Sequence, residues 1–117
     1  DAGNLIISPA DKEMVDPHDA WADDETLAVG VESFQSVLNV PIDRMLSNWA
    51  GLRSFAPDGN LVIGPDKNNP SFFWFAGQGG YGFQTAAAAS QLLSDLFLQR
   101  TVSVEREILE ALLPGRF

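Results

Sequence analysis

At 117 residues and 45 % hydrophobic content, the chain is long enough for one hydrophobic core and too short for two. A formal charge of −9, with seven scattered basic residues and no basic stripe, argues against a nucleic-acid surface, which needs clustered Lys and Arg for the phosphates. The absence of cysteine excludes a disulfide framework, a thiolate metal site and a cysteine nucleophile, and no apolar run reaches the length of a transmembrane segment; the chain reads as soluble, the compartment open, with the cytoplasm as the expectation.

A short strand is expected at residues 5–8. An acidic stretch follows, in which Asp11, Glu13, Asp16, Asp19, Asp23, Asp24 and Glu25 face only Lys12 and His18. Its spacing matches no calcium loop, and a single His in a loop is a poor start for a metal site. A solvated connector, punctuated by Pro9 and Pro17, is the better reading. A helix is then expected over residues 24–39, because Leu27, Val31, Phe34 and Leu38 recur at spacings of three and four. Asp23 or Asp24 would cap it, and Asn39 with Pro41 would end it.

Residues 45–55 read as extended, with Trp49, Gly51, Arg53 and Phe55 sharing one face. Arg53 stands out there, because a guanidinium among aromatics needs an anion. Two readings stay open: an ion pair with one of the chain's own acids, or bidentate capture of a substrate carboxylate. The turn at residues 56–60 and a short strand at residues 61–63 follow, and the two extended segments are expected to form a hairpin.

An aromatic strand over residues 72–76 then runs into Gly77-Gln-Gly-Gly-Tyr-Gly82 and an alanine-rich helix to about residue 98. Such a turn brings backbone N–H groups close to a ligand at a helix N-terminus, and it serves equally as an ordinary strand–turn–helix corner. Four aromatics in succession suit a strand covered on both faces. A last helix over residues 104–113 gathers Ile108, Leu109, Leu112 and Leu113 and stops at Pro114-Gly115.

The run Trp49-Ala-Gly-Leu-Arg53-Ser-Phe-Ala-Pro57-Asp58, then Val62-Ile63-Gly64-Pro65, then Phe73-Trp-Phe-Ala-Gly77-Gln-Gly-Gly-Tyr-Gly82, resembles the C-terminal portion of the FAD-dependent D-amino-acid oxidase, glycine oxidase and sarcosine oxidase family. The likeness spans about residues 5–99, and the helix after Thr101 adds nothing to it. Members begin with a nucleotide-binding unit whose Gly-x-Gly-x-x-Gly fingerprint follows the first strand. The glycines at residues 77–82 look similar but lie late in the chain with no acidic-ended strand behind them, so they are not read as that fingerprint.

The resemblance implies a mixed α/β (α+β) fragment of a two-domain flavoprotein. Residues 1–64 would end the substrate-domain sheet, residues 65–100 would return to the flavin, and residues 101–117 would form a closing helix. The parent would oxidise the Cα–N bond of an amino acid or secondary amine, passing hydride to FAD and electrons to oxygen or a respiratory acceptor. Arg53 matches the arginine that binds the substrate carboxylate. Gln78, Gly79, Gly80, Tyr81, Gly82, Phe83 and Gln84 match the segment against the isoalloxazine, and Tyr81 would also line the substrate pocket.

Two departures matter. Glycine oxidase carries a second arginine where Gly80 stands here, and the cysteine that links flavin covalently in sarcosine oxidases is replaced by Gly51, so FAD is expected to bind without a covalent bond. The chain alone would be inactive, would need its missing N-terminal FAD-binding portion as partner, and would be free to self-associate through bare apolar surface. The rival reading is an independent acidic binding module whose glycine turn merely makes a corner.

Overall fold

The computed structural model describes residues 3–117, which carry three α-helices, a two-stranded antiparallel sheet and a closing 3₁₀ turn. The mixed α/β class is therefore as expected. The chain divides into two compact units, Asp1–Leu52 and Arg53–Phe117.

In the first unit, Asp23 starts the helix. Its carboxylate accepts hydrogen bonds from the Thr26 N–H at 2.8 Å and the Thr26 hydroxyl at 2.9 Å, and these hold its pKa below the usual carboxylate range. Asp24 and Glu25 in the first turn complement the helix dipole. Helix α1 runs Asp24–Val37, two residues short of the expected end, and Leu38 closes it by donating its N–H to the Phe34 carbonyl at 2.9 Å. The buried Gly30 leaves room for Pro9: a Cβ there would stand 2.8 Å from the proline Cγ. The strand expected at residues 5–8 does not form. Among the described residues no ladder partner lies beside it in this unit, and Leu5 and Ile6 stay exposed.

In the second unit, strand β1 (Val62–Pro65) pairs antiparallel with β2 (Phe73–Ala76), in the register Val62 with Ala76, Ile63 with Phe75, Gly64 with Trp74 and Pro65 with Phe73. The hairpin expected between residues 45–55 and 61–63 is thus corrected: β1 takes the aromatic strand that follows it. Within the second unit the Ser54 carbonyl accepts from the Gly79 N–H at 2.9 Å, so residues 53–55 meet the glycine turn and not a ladder.

Asp66 organises the β1–β2 connection. Its carboxylate accepts from the backbone N–H groups of Asn68 at 2.8 Å and Asn69 at 2.9 Å and from the Trp74 indole at 2.9 Å, and the last of these does most to depress its pKa. The Asp-Lys-Asn-Asn run carried this Asx-turn signal in the sequence.

Helix α2 (Gly82–Phe97) lies on β1 and supplies Ala89 and Leu92, which with Ile63 form the buried centre. Helix α3 (Arg106–Leu112) adds Leu109 and Leu112 to its margin, and a 3₁₀ turn over Pro114–Arg116 ends the chain. The expected helix at residues 104–113 is present but shorter, and Ile108 faces solvent. On β2 the aromatic run is only partly covered. Phe72, just before the strand, and Trp74 and Phe75 within it are 49 %, 39 % and 41 % exposed, on a strand whose composition suits two covered faces. Among the described residues no helix is long and apolar enough to cross a membrane.

Candidate functional site

Arg53, the turn at residues 56–60 and the glycine turn at residues 77–82 all belong to the second unit, and the fold brings them together. Gly77 (φ 69°) and Gly79 (φ 53°) sit in the left-handed region, which turns the chain sharply from β2 into α2. A Cβ on Gly79 would stand 2.6 Å from Cε1 of Phe55, so this position admits no side chain without moving the ring. A Cβ on Gly80 would stand 3.2 Å from Nη1 of Arg53. The glycine turn therefore lies directly against the guanidinium of the half-buried Arg53, whose Cζ is also 5.4 Å from the centre of the Phe55 ring.

Helix α2 opens from this turn without a side-chain cap. The first helical bond runs from the Thr85 N–H to the Tyr81 carbonyl at 2.9 Å, and the Thr85 hydroxyl donates to the same oxygen at 2.8 Å. Gly82, Phe83 and Gln84 thus form the first turn, where backbone N–H groups have no helical acceptor and the helix dipole is positive. Phe83 and Gln84 are exposed, and Tyr81 is 47 % exposed. The Gln78 side chain lies beside Gly82, where a Cβ would be 3.2 Å from the Gln78 Cβ, and its Nε2 is buried with no hydrogen-bond partner.

The turn at residues 56–60 is held from the far end of the chain. Arg116 donates from Nε to Asp58 Oδ2 at 2.7 Å and from Nη2 to Asp58 Oδ1 at 3.1 Å, a bidentate pair between residues 58 apart in sequence. Nothing local in the sequence announces it. The Arg116 hydrogen bond is the main cause of a pKa lowered to about 2 for Asp58, against an ordinary 3.8. A depressed carboxylate stabilises the fold above its unfolded pKa and loses that contribution as pH falls through its folded one. Urea unfolding at stepped pH is therefore expected to show stability falling between about pH 4 and pH 2, and Asp58→Asn should make the fall shallower, Asp23 and Asp66 keeping their share of it.

The family model described as FAD dependent oxidoreductase matches residues 1–96. The chain belongs to that family. The matched span takes in Arg53 and the whole glycine turn and stops before α3. The family's cofactor fits what these residues offer. The uncapped N-terminus of α2 offers backbone N–H groups suited to the polar edge of a large planar ring, while the missing Cβ atoms of Gly79, Gly80 and Gly82 make room for the chain's own Phe55, Arg53 and Gln78. The glycines do not make a dinucleotide fingerprint of the doubly wound kind, because β2 is paired antiparallel and no strand follows α2 among the described residues.

Proposed function

We propose that the chain is the C-terminal portion of an FAD-dependent oxidoreductase acting on the Cα–N bond of an amino acid or secondary amine. The observation that carries this reading is the placement of the Arg53 guanidinium against the backbone of Gly80, at the mouth of the uncapped α2 N-terminus. A carboxylate clamp beside a surface that accepts a polarised ring is the arrangement that oxidation next to a carboxylate requires.

In this reading Arg53 binds the substrate carboxylate through its planar fork and so fixes Cα relative to the ring. Gly79, Gly80 and Gly82 let the backbone approach the flavin, Gln78 and Gln84 offer amide groups to its polar edge, and Phe83 and Tyr81 cover its periphery, Tyr81 also bordering the substrate. The N–H groups at the start of α2 favour negative charge gathering on the pyrimidine side of the ring. FAD, when bound, accepts the hydride that leaves Cα. With no cysteine in the chain, no thioether from these residues holds it. Gly80 leaves Arg53 without the second arginine of glycine oxidase, so a further substrate anchor would come from another part of the protein.

The exposed aromatics of β2 support a role for the chain as part of a longer protein, whose FAD-binding portion would cover them. Residues 1–64, 65–100 and 101–117 would then be the end of the substrate domain, the return to the flavin, and a closing helix. By itself the chain would be inactive and would self-associate. The visible absorption spectrum of the full-length protein tests the reading. Flavin bands released by denaturation, with no covalent residue left on the chain, are expected; a colourless folded protein that does not take up added FAD would overturn it.

A further inference from the structure

We propose that Arg116, outside the matched residues, is a positioning residue for Arg53: by clamping the turn at residues 56–60 it holds the Arg53 segment in place against the glycine turn. The inference rests on the reading of Arg53 as the carboxylate anchor. A guanidinium has five N–H donors, and here each has an acceptor. Besides the two bonds to Asp58, Nη2 donates to the Asn60 carbonyl at 3.2 Å, and Nη1 donates to the carbonyls of Leu112 at 2.9 Å and Leu113 at 3.1 Å. The side chain is 13 % exposed, and its Cζ is 4.4 Å from the centre of the Phe117 ring. Arg116 therefore ties the end of α3 to both the side chain and the backbone of the 56–60 turn.

That turn touches the site. The Asn60 carbonyl that accepts from Arg116 is 3.2 Å from where a Cβ on Gly77 would be, and the Ala56 amide nitrogen is 3.5 Å from it. Two residues before Ala56, the Ser54 carbonyl takes the Gly79 N–H. Arg53 is thus connected to Arg116 by a short stretch of backbone bonded at both ends.

Apart from the bridge, α3 is also held by apolar contacts: Leu109 and Leu112 lie on the core, and Leu113 Cδ2 would be 2.8 Å from a Cβ on Gly64. What the bridge adds is a fixed position for a polar turn that has no core residue of its own. A displacement of the anchor by even an ångström weakens capture of a small carboxylate, because both N–H···O bonds of the fork must be made together.

The test uses the full-length protein loaded with FAD and acetate as the probe, with binding measured by calorimetry. Arg116→Lys, which keeps the charge and loses the fork, is expected to weaken acetate binding about tenfold at unchanged FAD content. With an amino-acid substrate, KM should rise while kcat at saturation holds. Asp58→Asn cuts the same link from the other end and should give the same result; it decides the matter if Arg116→Lys does not retain FAD. Wild-type acetate affinity in these variants, whatever their Tm, would reduce Arg116 to a structural brace and overturn the proposal. Arg53→Ala is measured alongside. If it binds acetate like the wild type, the anchor itself is refuted and the positioning role falls with it, a result distinct from failure of the Arg116 link alone.

Discussion

Arg53→Ala in the full-length protein is expected to weaken binding of a carboxylate substrate by about a hundredfold or more while FAD content stays at the wild-type level. A hydrogen bond to a charged group contributes on the order of 1.5–3 kcal/mol, and a fork that makes two loses both on truncation. The Arg53 side chain meets the glycine turn at Gly80, where a Cβ would stand 3.2 Å from its Nη1, so truncation removes a neighbour of the turn and none of its backbone. Arg53→Lys should fall between the two, since a single ammonium keeps the charge but not the fork. Equilibrium titration of each variant with a carboxylate ligand gives the comparison. An unchanged affinity in Arg53→Ala would assign the guanidinium to structure.

Gly79→Val carries the second large effect, on the turn itself. A branched side chain at φ 53° opposes the local sterics, and its Cβ would stand 2.6 Å from the Phe55 ring. The combined cost is on the order of 3 kcal/mol, enough to undo a large share of the stability of a small domain. Phe55 can relieve the clash only by leaving the place where it flanks Arg53, so the same change should strip FAD from the full-length protein and disorder the anchor. Urea unfolding measures the first effect and the flavin-to-protein absorbance ratio the second. Gly115→Ala serves as the control: a Cβ there meets nothing within 4 Å and should shift neither.

The elements that could be read from the residues are those whose signals are local. Helix α1 was legible because its apolar stripe and its Asp23 cap sit within a few residues of one another, and β2 and α2 because an aromatic run, a glycine cluster and an alanine-rich run follow in order. Strand partners were not. Nothing near Leu61 tells whether β1 will pair with the chain before it or after it, and that choice depends on where the Ser54 carbonyl finds its donor, 25 residues later at Gly79.

The candidate site was legible only in its parts. Residue chemistry marks the glycine turn either as a place for a ligand or as an ordinary corner, and spacing cannot place residue 53 beside residue 80; that meeting is a finding of the fold. The Asp58–Arg116 pair stayed hidden for the same reason. Asp58 sits in a stretch whose residue types are ordinary for a turn, and only the docking of α3 brings Arg116 to it.

The most direct measurement is an anaerobic titration of the full-length protein, following the flavin bands, with a panel of amino acids and N-methyl amino acids and, in parallel, the amines that remain when each loses its carboxylate. The account predicts that at least one amino acid bleaches the flavin and that its decarboxylated counterpart does so far more weakly, with the difference vanishing in Arg53→Ala. Equal bleaching by the acid and its amine, or a flavin that none of the panel reduces, would contradict it.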